Sequence, residues 1–65
     1  MIPVEGEKYL PKYLVKHARD FCETINATEI YNIAGLGDGD YRIMYWITVD
    51  GKRKMEAKIL KVPLV

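Results

Sequence analysis

Asp50-Gly51 lies between two runs of alternating polarity, residues 41–49 and 52–60. An Asp-Gly in that setting is a strong local signal for a β-hairpin, because both residues tolerate the positive φ of a tight turn. The hairpin's register then decides which side chains share a face. Two loops fit. A two-residue turn pairs Val49 with Lys52, Trp46 with Met55 and Met44 with Ala57. A three-residue loop with Gly51 in a left-handed bulge pairs Thr48 with Lys52, and hence Tyr45 with Met55, Ile43 with Ala57 and Tyr41 with Ile59.

A slip of one residue flips one strand's faces against the other's, so apolar segregation should choose the register. The three-residue loop gathers Tyr41, Ile43, Tyr45, Ile47, Met55, Ala57 and Ile59 on one face, and is the expected register. It leaves Trp46, Met44 and Arg42 beside Lys54 and Lys58 on an open face. These five are the candidate partner-binding residues, since tryptophan and arginine dominate interface energetics. Two alternatives stand beside this reading. The N-terminal segment or Leu60-Lys61-Val62 covers Trp46, or the two-residue register makes Trp46 and Met55 core and exposes Tyr41, Tyr45, Lys54 and Lys58.

Upstream of the hairpin the pattern is helical. Leu10, Leu14, His17, Ala18, Phe21 and Ile25 fall on one arc at a 3.6-residue period, with Cys22 at its edge. Lys16–Asp20 and Arg19–Glu23 have the spacing of i,i+4 ion pairs. Pro11 suits the first turn and Asn26 a left-handed cap, which predicts a helix over 11–25. Ile2-Pro3-Val4 reads as a short extended piece and Gly6 as a break. Strands are predicted over 28–36, 40–49 and 52–62, with Pro63 ending the last or marking an edge. In the first strand Glu29, Tyr31 and Ile33 alternate against Ile30, Asn32 and Ala34. The fold class is α+β: a single small domain, residues 1–65, with one N-terminal helix on a three-stranded antiparallel sheet.

Sixty-five residues form one domain with a small core. The single cysteine, Cys22, makes no internal disulfide and no zinc cage. The start lacks the basic and apolar regions of a secretion signal, and no apolar run approaches the ~20 residues of a membrane span. A cytoplasmic protein without membrane or cofactor is expected. The net charge of +1 hides an asymmetry: residues 20–40 hold five acids and no Lys or Arg. Among these acids Glu29, Asp38 and Asp40 form a candidate secondary surface for a basic partner, including a nucleic-acid-binding enzyme.

Catalytic patterns fail one by one. His17 and Cys22 are about 140° apart around a helix, too far for a thiol dyad. His17 has no nucleophile or pocket indicated beside it and reads as a helix-flank histidine with a satisfied ring. Gly35-Leu36-Gly37-Asp38-Gly39 lacks the Gly-Lys-Ser/Thr ending of a phosphate loop, and Asp38-Gly39-Asp40 lacks the spacing of a calcium loop. No metal site and no enzyme is expected.

Two function classes remain. The first is a small non-enzymatic interaction protein that binds and modulates a protein partner. Domains of this size are common among phage and mobile-element accessory proteins, which suggests an inhibitor of a host nucleic-acid-handling enzyme. The alternative is a small nucleic-acid-binding domain. Its basic-aromatic surface would draw on Lys8, Lys12, Lys16 and Arg19 near Tyr9 and Tyr13, and on Lys52, Arg53, Lys54, Lys58 and Lys61. An open sheet on so small a chain also predicts a homodimer, face to face or edge to edge.

Overall fold

A computed structural model describes residues 1–61. A 3₁₀ turn, Glu7–Tyr9, leads into helix α1, Lys12–Thr24. Strands β1 (Glu29–Gly35), β2 (Asp40–Val49) and β3 (Lys52–Lys61) follow. They form one antiparallel sheet in the order β1-β2-β3, with α1 on one side. This is the α-β-β-β domain expected from the periodicities. Val62 and Pro63, read as the end of the last strand, lie outside the described residues.

Both helix ends follow from local chemistry. Pro11 has extended backbone (ψ 135) and is the N-cap, its carbonyl accepting from the amides of Leu14 and Val15 at 3.1 Å. At the other end Asn26 takes the left-handed conformation at φ 59. The Ala27 amide then donates back to the Cys22 carbonyl at 3.0 Å, the closing bond of a Schellman motif. Ala27 and Cys22 are both buried in the same cluster, which supplies the hydrophobic contact that accompanies this cap.

The core joins Val15, Ala18 and Cys22 of α1 to Ile30 and Ile33 of β1 and Tyr41, Ile43 and Tyr45 of β2. The helix is therefore rotated from the expected arc. Val15 lies in the core, while Leu14, Phe21 and Ile25 are only partly buried. The cause is the N-terminal segment. Val4 bridges Ile30 in parallel, with the Ile30 amide donating to the Pro3 carbonyl (2.9 Å) and the Glu5 amide to the Ile30 carbonyl (3.0 Å). This segment also meets the Arg19 side of α1. Arg19 donates to the Ile2 carbonyl at 2.9 Å and pairs with Glu7 at 2.8 Å, so the expected Arg19–Glu23 pair is replaced. Lys16–Asp20 forms as expected, at 3.0 Å.

The hairpin takes the two-residue register, which corrects the expected one. Val49 pairs Lys52, Trp46 pairs Met55 and Met44 pairs Ala57. Asp50 and Gly51 both have positive φ (52 and 77), as a type I′ turn requires, and that turn matches the natural strand twist. Apolar segregation failed as a criterion because it needs a strand with one buried face. In β3 only Met55 and Leu60 are even partly buried. The helix lies against β1 and reaches Tyr41 of β2 through His17, but leaves most of β3 exposed, with Leu60 alone packed on the core from that side. The odd-numbered residues Tyr41, Ile43 and Tyr45 of β2 nevertheless face the core, the face expected with the three-residue loop, although that loop does not form.

A second departure lies in β1. The pairing shifts between Ile30 and Asn32, so Tyr31 is an extra, unpaired residue in a β-bulge. The bulge lets Ile30 and Ile33, three apart, both point into the core, where strict alternation would separate them.

Candidate interaction face

The side of the sheet away from α1 is built from three rows that each cross all strands. They are Glu29–Trp46–Met55, Asn32–Met44–Ala57 and Ala34–Arg42–Ile59. Residues flanking a two-residue turn exchange both backbone hydrogen bonds, so the bonded pairs of the hairpin are the odd residues of β2 with the even residues of β3. The Trp46–Met55, Met44–Ala57 and Arg42–Ile59 pairs are the non-bonded ones, whose Cα atoms lie about 4.5 Å apart and whose side chains touch most closely. In agreement, the Trp46 carbonyl is directed at β1, where it accepts from the Thr28 amide at 2.8 Å.

Arg53 organises the upper end of this face. Its guanidinium carbon lies 4.3 Å from the centre of the Trp46 ring. Its Nη2 is 3.5 Å from Glu29 Oε1. Three strands thus contribute one side chain each to a carboxylate–guanidinium–indole stack. The ion pair is exposed and adds little stability, but it holds the guanidinium over the indole, a contact worth about 0.5–1 kcal/mol. Trp46 is half-buried under this cover. Ile59, by contrast, is 59% exposed at the opposite end.

Trp46, Met44 and Arg42 therefore share the open face. Lys54 and Lys58 do not join them. They pair with Ile47 and Ile43 and so lie on the helix side of the sheet, exposed because α1 does not extend over β3. Register is the physical reason: one residue's slip exchanges Lys54 and Lys58 for Met55, Ala57 and Ile59. The open face is thus more apolar than the sequence implied. Arg53, Met55 and Ile59 were the residues missed, and the Asp-Gly turn preference was the signal that would have found them.

The acidic group is not one surface. Glu29 is engaged by Arg53 at the Trp46 end, and Asp40 lies 3.8 Å from Lys61 at the far end of β2. Six residues of strand, about 20 Å, separate Glu29 from Asp40. On the helix, Lys8 sits 5.1 Å from the Tyr9 ring centre, and Arg19 is taken up by the N-terminal segment.

The titratable core groups are placed for packing. His17 Nδ1 lies 2.5 Å from the Tyr41 hydroxyl, with the rings edge to face at 5.7 Å. Burial pushes the Tyr41 hydroxyl up to about 12, with the nearby Cys22 adding to the effect. Burial also pushes the Cys22 thiol up to about 11, leaving it protonated and a poor nucleophile at neutral pH. Among the described residues no three His, Cys, Asp or Glu side chains converge as a metal site would need. No helix among them is long and apolar enough to cross a membrane.

Comparison with known proteins finds no family model, no curated protein and no solved structure that matches this chain.

Proposed function

We propose that this protein is a non-enzymatic interaction module that binds a protein partner through the open face of its sheet and modulates it by occupying the partner's surface. The observation that carries this reading is the Trp46–Arg53 stack at the head of the pairs Met44–Ala57 and Arg42–Ile59, on a face that no described segment covers. A large aromatic ring held in place by an arginine is the composition of an interface hot spot, where a single truncation costs more than about 2 kcal/mol.

The test compares tagged wild type with Trp46→Ala in capture from source-cell lysate, with and without nuclease, after circular dichroism has checked that the variant folds. A nuclease-resistant protein bound at least about thirtyfold more weakly by Trp46→Ala supports the reading. Equal capture by a folded variant moves binding off this face.

One observation favours a second reading, a nucleic-acid-binding domain: β3 carries Lys52, Arg53, Lys54, Lys58 and Lys61 against a single acid, Glu56. Fluorescence anisotropy of a labelled single-stranded oligonucleotide, titrated at two salt concentrations, decides it. Affinity falling steeply with salt supports it. No binding at low salt removes it.

A further inference from the structure

The sheet has two edges of different kinds. On β1 the backbone of Ile30 is hydrogen-bonded to Pro3 and Glu5, and the bulge at Tyr31 disrupts the ladder. On β3 nothing among the described residues pairs with the outer side. In the observed register Lys52, Lys54, Glu56, Lys58 and Leu60 bond to β2. The amides and carbonyls of Arg53, Met55, Ala57, Ile59 and Lys61 therefore point outward along an unbroken ten-residue strand.

The side chains beside that edge differ by face. On the open face a newly added strand would lie against Met55, Ala57 and Ile59. On the helix side it would lie against Lys54, Glu56 and Lys58, with Lys52 at the turn and Leu60 at the far end. Among the described residues β3's ion pairs are those of Arg53 and Lys61, and the three helix-side lysines have none. We propose that the outer edge of β3 docks an extended polypeptide segment of alternating acidic and apolar residues as a fourth strand, its acids toward Lys54 and Lys58 and its apolar residues toward Ala57 and Ile59. Backbone bonds at the edge supply affinity, and the alternation supplies specificity. A second copy of this chain is a poor occupant. Its β3 would set five bases and one acid against the same set, and like charges across a ladder repel.

This proposal rests on the protein-binding reading above but uses the edge rather than the face. The probe is a short capped peptide alternating glutamate with valine, titrated into ¹⁵N-labelled protein. The expected result is shifted amide resonances at Met55, Ala57 and Ile59 with slowed hydrogen exchange at the same amides. The Lys54→Glu/Lys58→Glu variant, exposed at both sites, should bind about tenfold more weakly. A peptide with lysine replacing glutamate, or with N-methylated alternate amides, should lose binding. Ala57→Pro, which removes one outward N–H, should do the same provided its spectrum shows the fold intact.

Absence of shifts overturns the proposal, as does equal binding of the lysine peptide. Shifts confined to the Trp46 face overturn it in favour of face binding. Edge amides already protected without peptide, in a sample that sediments as a dimer, overturn it in favour of self-pairing. Competition by an oligonucleotide with the same edge shifts overturns it in favour of nucleic acid. A Trp46-dependent partner combined with an inert edge sinks this proposal alone. An edge that binds the peptide while Trp46→Ala leaves protein capture unchanged sinks the face reading alone.

Discussion

β2 and β3 are the same length and are paired rung for rung, yet they live in different environments. In β2 the residues Tyr41, Ile43 and Tyr45 are buried and those between are not. β3 is exposed along nearly all of its length. The difference is position relative to the helix. β2 is central and has a covered face, while β3 projects past α1 and is covered on that side only at Leu60. A strand's periodicity carries structural information only where burial enforces it, and on a projecting strand the same alternation is free to serve a surface.

The largest effect should come from the buried strand. Ile43→Ala, at a fully buried position, is expected to cost about 3–4 kcal/mol in chemical denaturation. A cost under about 1 kcal/mol would break the contrast between the strands. The second test uses pH. Cys22 and Tyr41 have folded-state pKa values of about 11 and about 12, raised by burial from 9.0 and 10.0. The folded state holds these protons more tightly than the unfolded chain. Their contribution is therefore complete below pH 9 and is lost as pH rises through 9–12, by about 2–3 kcal/mol per group. Denaturation curves at stepped alkaline pH should show that decline, and Cys22→Ala should lack the part that begins near pH 9. Unchanged stability up to pH 12 would contradict the burial of this pair.

Gly51→Ala tests the turn that sets the register. Gly51 has φ 77 with open space where a Cβ would go, so the cost is backbone strain alone, about 1–2 kcal/mol. The smallest effect belongs to the projecting strand. Ile59→Ser is expected to change stability by less than about 0.5 kcal/mol, as for an ordinary surface site. A large loss would mean that β3 is held by something its exposure does not reveal.

The same contrast explains what was legible in the sequence. The helix and the bounds of β1 and β2 were readable because burial enforces their patterns, the start of β3 followed from the Asp-Gly turn, and the inward face of β2 was reached through a register that does not form. The pairing of β3 was not readable, because apolar segregation presupposes a buried face and β3 is exposed along most of its length. Local turn chemistry at Asp50-Gly51 was the better guide. The rotation of α1 toward Val15 depends on the return of residues 2–5 along β1, a tertiary contact with no local signature. The bulge at Tyr31 left one trace, Ile30 and Ile33 at a spacing of three where a flat strand asks for two or four. Phe21, on the expected apolar arc, is only partly buried because the same rotation brings Val15 inward. Of the open face, Trp46, Met44 and Arg42 were expected there through a register that does not form, whereas Arg53, Met55 and Ile59 required the one that does.

The parallel rung of Val4 on Ile30 has a consequence for assembly. Fibrous aggregation needs a sheet that can be joined at both sides, so that each addition leaves a new end. Here the first strand is stoppered at Ile30 and bent at Tyr31, while the third remains reactive. In the vocabulary of polymerisation the domain is a monofunctional unit. Whatever strand it captures along β3, further pairing on the β1 side of the domain is opposed at Ile30 and Tyr31.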